Sequence, residues 1–158
     1  MSHRAAGSDR PGVIAPPPII YLAAVGPGIL LDAAWPVPLW PWPARAGVGG
    51  GLIAAGFALA AWAFRAFRAA GTNADPRKPA TAVVEAGPFR YSRNPIYMGM
   101  NAIMIGLGVA LDNVWIVGLL VPVLEIMRVG VIGREERYLE GKFGDAYRGY
   151  RARVRRWL

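Results

Sequence analysis

Asn94-Pro-Ile-Tyr-Met-Gly-Met-Asn-Ala-Ile-Met-Ile-Gly-Leu-Gly-Val-Ala-Leu111, then Asp112-Asn113, then Val114-Trp-Ile-Val-Gly-Leu-Leu-Val-Pro-Val-Leu-Glu-Ile-Met127 decide the fold. Two apolar runs flank a two-residue polar turn, and neither run carries a polar face. A helical hairpin in water would show polar residues on the side away from its core. A bilayer instead asks for about 20 apolar residues per helix, so the stretch reads as a membrane hairpin whose second arm continues into the 128–132 region.

Two further apolar blocks precede it. Ile19–Trp35 holds Pro27 between two glycines, which predicts a kink. Val48–Phe67 opens on Gly49, Gly50 and Gly51. Met1–Pro18 is polar and then proline-rich, a mobile segment by composition. Its lack of an apolar core and cleavage site makes the first block a retained helix rather than a signal peptide. The chain therefore reads as an all-α integral membrane bundle of four transmembrane helices, one domain over 19–158.

Charge sets the topology. Basic residues in short loops stay on the cytoplasmic side. With the N-terminus inside, 17 of the 18 Lys and Arg fall inside and only Arg45 outside. The expectation is a multi-pass protein of the cell's inner membrane with both termini cytoplasmic. The formal net charge of +8 is then a matter of topology, and nothing supports nucleic-acid recognition. With no cysteine, disulfides, thiolate metal sites and thiol nucleophiles are excluded. His3, the single histidine, lies in the N-terminal stretch, which leaves zinc or histidine catalysis without residues.

Two cytoplasmic segments stand out. The long loop from Arg68 to Arg93 carries turn signals at Asp75-Pro76 and Gly87-Pro88 and is expected to form an ordered cap. Leu139, Phe143, Tyr147, Tyr150, Val154 and Trp157 recur at helical spacing opposite a basic face, a C-terminal amphipathic helix suited to the headgroup plane.

Chemistry is carried by few residues. Arg93-Asn94-Pro95 punctuates a helix start, and a helix N-terminus beside Arg90 and Arg93 also suits an anion. Glu135-Glu136 reads as a solvated pair or as a holder of a cation or ribose hydroxyls. Glu125 is unusual in an apolar span, with Arg128 three residues on as its natural partner. Asp32 reads as an outer-interface residue. Gly99, Gly106 and Gly108 permit close helix packing or close approach of a ligand.

Gly87-Pro-Phe-Arg-Tyr-Ser-Arg-Asn-Pro-Ile-Tyr-Met-Gly99 resembles the GPxRxxRHPxYxG segment of the isoprenylcysteine carboxyl methyltransferase and phospholipid methyltransferase superfamily. Arg134-Glu-Glu-Arg-Tyr-Leu139 and Phe143-Gly-Asp-Ala-Tyr-Arg-Gly-Tyr150 resemble its REExxL and FGxxYxxY signatures. The resemblance runs from about Gly71 to the end of the chain. It implies a membrane-embedded enzyme that uses S-adenosylmethionine and methylates a lipophilic acceptor. By that resemblance Arg93, Asn94, Pro95, Tyr97, Gly99, Gly106, Gly108, Glu135 and Glu136 bind the cofactor. Asn94 stands where the family often has His, so it can hydrogen-bond but cannot titrate near neutrality.

Methyl transfer from a sulfonium needs alignment and exclusion of water rather than a covalent nucleophile. Tyr91, Tyr97 or Tyr138 would face the sulfonium, and Arg128 with Glu125 would orient the acceptor as catalytic residues. An isoprenylcysteine-type carboxylate, a phospholipid amine and a small thiol are all compatible acceptors. A membrane scaffold without activity is the competing reading, and the oligomeric state is open.

Overall fold

The computed structural model describes residues 9–39, 41 and 44–158. Among them regular structure is helical throughout: α1 (Pro17–Ala34), α2 (Ala44–Ala69), α3 (Pro95–Ala110), α4 (Val114–Met127), α5 (Gly133–Phe143) and α6 (Asp145–Arg153). A 3-10 turn at Gly87–Arg90 precedes α3, and a π-helical turn at Arg128–Ile132 joins α4 to α5.

Proline and asparagine set the helix ends. Proline stands in the first turn of both α1 and α3, where its fixed φ and missing N–H cost nothing. The expected two-residue turn is present: Asp112 adopts a positive φ of 57°, and the Asn113 side chain caps α4 by accepting from Ile116 N at 2.9 Å. Asn113 Nδ2 also donates to Gly28 O at 3.1 Å, tying the hairpin to α1.

Among the described residues, three helical stretches are long and apolar enough to cross a membrane: Pro17–Ala34, Ala44–Ala69 and the joined Val114–Phe143. The fourth expected span is shorter. At 16 residues, α3 rises roughly 24 Å against a hydrocarbon thickness of about 30 Å. Large apolar residues face outward along these helices, among them Leu22, Leu30, Phe57 and Val121, as lipid-facing surfaces require.

Packing divides the bundle. Ile20 and Tyr21 of α1 meet Ile116, Leu120, Val123 and Met127 in one buried cluster. α2 lies on α3 with backbone nearly touching backbone: a Cβ at Gly56 would stand 2.5 Å from Gly99 O, and one at Gly49 2.7 Å from Gly106 O. Only residues without side chains permit that approach.

The C-terminal amphipathic segment differs from its expected placement. It breaks at Gly144, which takes a positive φ of 53°. Its aromatic face turns inward rather than toward headgroups: Tyr147 and Tyr150 are buried with Ala63, Ala66, Val84 and Phe89, and Leu139, Phe143 and Val154 pack around them. The long loop supplies Val84 and Phe89 to this cluster, so the stripe finds protein to cover it. Tyr150 Oη donates to Phe89 O at 2.9 Å, and Ala80 N donates to Tyr138 Oη at 3.1 Å.

Of the N-terminal segment expected to be mobile, residues 1–8, including His3 and Arg4, lie outside the described residues. From Asp9 onward the segment runs along α5 from its last turn back to the π turn. Lys142 Nζ lies 2.7 Å from Asp9 Oδ2, Arg134 donates to Gly12 O at 2.7 Å, and Ile14 fills the space left by Gly130.

Candidate functional site

A cleft opens where the first turn of α3 meets α5, α6 and the 70–86 loop. Its enclosed interior measures about 130 Å³ and widens into an open mouth. Six residues singled out in the sequence line it together: Arg93, Asn94, Pro95, Tyr97, Glu135 and Glu136. Chain positions some 40 apart converge because the α3–α4 hairpin folds back and the π turn carries the helix on into α5.

The two adjacent carboxylates have separate environments. Glu135 accepts from Tyr97 Oη at 2.6 Å and stands in the cleft wall. It lies beyond the apolar run of α4, and its carboxyl is pushed up to about 7 by burial, an effect the Tyr97 hydrogen bond opposes and the Glu136 charge reinforces. Glu136 is buried under two guanidinium groups. Arg156 donates Nε to Oε1 at 3.1 Å and Nη2 to Oε2 at 2.6 Å, and Arg93 Nη2 lies 3.1 Å from Oε1.

Arg93 has donors to spare. Its side chain is 9% exposed, yet among the described residues Nε and Nη1 have no hydrogen-bond partner. A buried guanidinium donor left unpaired costs free energy, and the Tyr147 hydroxyl lies beside this guanidinium. Asn94 occupies the N-cap position of α3 but its side chain does not cap the helix. It donates instead to Arg156 O at 3.0 Å, as Ser92 Oγ does at 3.1 Å, while Arg93 N donates to Arg155 O at 3.0 Å. The residues before α3 thus grip the C-terminal segment after α6.

The remaining sequence candidates lie elsewhere. Gly99 and Gly106 are filled by α2, and Gly108 by Val117 and the Asn113 carbonyl of the hairpin turn; none of the three lines the cleft. Glu125 and Arg128 pair with each other on the exposed side of α4, at 2.7 Å and 2.5 Å. Of the tyrosines, Tyr91 is 64% exposed and sits beside Trp62, whereas Tyr97 and Tyr138 line the cleft, as do Tyr147 and Tyr150. Asp32 is half-buried.

Sequence reasoning missed Arg156 and Ser92. Arg156 sits in a basic run whose members look alike, and its pairing with a carboxylate 20 residues away has no periodicity to betray it.

A family model described as phospholipid methyltransferase matches residues 44–146, which takes in α2 to α5 and the first turn of α3, but not Arg156. A protein of Haemophilus influenzae described as an uncharacterized protein is 42% identical over 65 residues, which is 40% of this chain and 100% of that protein. No solved structure matches the chain.

Proposed function

The chain belongs to the phospholipid methyltransferase family, and from that premise we propose that it is a membrane-embedded methyltransferase that binds S-adenosylmethionine in the cleft below α3. The observation that carries this reading is Arg93, a 9% exposed guanidinium with two unpaired donors in the same cleft as the Glu135 carboxylate. That donor set fits a zwitterionic amino-acid end: Arg93 for the carboxylate, the amides of the first α3 turn beside it, and Glu135 for the ammonium or for ribose hydroxyls.

When bound, the cofactor supplies an electrophilic methyl on a sulfonium. The protein's own part is to orient and to keep water out. Phe67, Val83, Val84, Phe89, Ile96 and Leu139 line the cleft and replace solvent with apolar wall. Tyr138 and Tyr147 offer aromatic surface for a cation. Tyr97 fixes Glu135 through its 2.6 Å hydrogen bond, so the carboxylate meets its partner already placed.

The acceptor in this reading is lipophilic and arrives through the bilayer, since the outer faces of the helices are apolar. Glu125 and Arg128, exposed on α4, would meet its headgroup at the membrane surface. We take α3 as the fourth span, shallow enough to hold the cleft at headgroup level, with both termini and the 70–94 loop in the cytoplasm of an inner-membrane protein. The single domain over 19–158 belongs to the same reading.

Calorimetry with S-adenosylmethionine, on wild type and Arg93→Gln in lipid nanodiscs, tests the proposal. Saturable binding by wild type that the variant loses supports it. No binding by folded wild type would leave a membrane scaffold as the better account. An isoprenylated cysteine, phosphatidylethanolamine and a small thiol, screened with methyl-labelled cofactor, then identify the acceptor class.

A further inference from the structure

We infer that Arg156 is a positioning residue that makes the site selective for a ligand carrying a carboxylate, by keeping Arg93 from closing onto Glu136. The inference rests on the cofactor reading above and deepens it.

A lone arginine and glutamate prefer a two-pronged fork, with two N–H donors meeting two carboxylate oxygens. Arg93 and Glu136 are buried neighbours and would adopt that fork if left to themselves. They do not, because Arg156 already holds both oxygens, through Nε at 3.1 Å and Nη2 at 2.6 Å. Arg93 is left with a single contact to Glu136, Nη2 to Oε1 at 3.1 Å; its Nε and Nη1 remain unpaired in a residue that lines the cleft.

The docking of the C-terminal segment does not depend on the Arg156 side chain. Its main-chain carbonyl accepts from Asn94 Nδ2 at 3.0 Å and from Ser92 Oγ at 3.1 Å. Arg155 O accepts from Arg93 N, and Trp157 packs on the α1–α4 core. Replacing the guanidinium therefore removes the fork while leaving the segment in place. Without Arg156, Arg93 takes both Glu136 oxygens and withdraws its free edge from the cleft.

The test compares S-adenosylmethionine with its decarboxylated form, which differs by the carboxylate alone, by calorimetry on the full chain in lipid nanodiscs. Wild type should prefer the carboxylate-bearing ligand. Arg156→Gln should weaken that ligand by about tenfold or more, as expected for losing a hydrogen bond to a charged group, and leave the decarboxylated one unchanged. Arg156→Lys keeps the charge but lacks the planar fork, so it should not restore the preference. Parallel weakening of both ligands would mean a merely structural role and overturn the inference. So would an undiminished preference in Arg156→Gln, or full rescue by Arg156→Lys. A wild-type protein that bound the decarboxylated ligand but showed no preference would overturn it too, with the cofactor reading intact. Wild type binding neither ligand would sink that reading and this one together.

Discussion

Gly56→Ala and Gly99→Ala separate a packing role for the third helix's glycines from a ligand-binding one. A methyl at Gly56 would stand 2.5 Å from Gly99 O and 2.6 Å from Ile103 Cγ1, where ordinary contact begins near 3.4 Å. A methyl at Gly99 would meet Gly56 O at 2.6 Å. The obstacle in both cases is a backbone carbonyl, so no rotamer change relieves it. The helices must part by most of an ångström, which loosens the Gly49–Gly106 contact on the same seam. Overpacking of this kind costs about 1–3 kcal/mol, and alanine's better helix propensity returns about 1 kcal/mol. Each variant should thus lose up to about 2 kcal/mol of stability. The double variant should lose less than the sum, because one separation accommodates both methyls. Thermal unfolding in mixed micelles reads the stability, and calorimetry with S-adenosylmethionine reads the site. A Gly99→Ala protein that melts like wild type but no longer binds cofactor would refute the reasoning and place Gly99 against the ligand.

Two further outcomes follow from the carboxylate pair. Burial pushes the Glu135 carboxyl up to about 7 in the folded protein, from an ordinary value of 4.5. The folded state therefore binds more protons than the unfolded one between those values, and stability should fall as pH rises through that window. Glu135→Gln should flatten this fall, whereas Tyr97→Phe, which removes the 2.6 Å hydrogen bond, should extend it to higher pH; melting curves from pH 4 to pH 9 decide. Glu136→Gln leaves the 9% exposed Arg93 side chain and its neighbour Arg156 without a counter-charge. Breaking a buried pair from one side costs about 3–5 kcal/mol. With Arg156 partly in solvent the loss should sit at the lower end, seen as a fall in melting temperature of the unliganded protein.

Sequence alone determined the apolar hairpin about Asp112-Asn113, the helix start at Pro95, and six of the residues that line the cleft. The first two are local properties: apolar length and proline geometry. Arg93, Tyr97, Glu135 and Glu136 were legible through the resemblance of the 87–99 and 134–139 motifs to the family's, since charge alone left Glu135-Glu136 equally readable as a solvated pair.

Tertiary structure decided the rest. Whether Gly99 and Gly106 meet a ligand or another helix depends on what lies opposite, and that is the carbonyls of Gly56 and Gly49, more than 40 residues away. The aromatic stripe of 139–157 has the same periodicity whether it faces lipid or protein. Only the position of Val84 and Phe89 turns it inward. Glu135 and Glu136 are adjacent and chemically identical in the sequence. One faces the cleft and the other is locked by Arg156, because successive helix positions point about 100° apart and meet different walls.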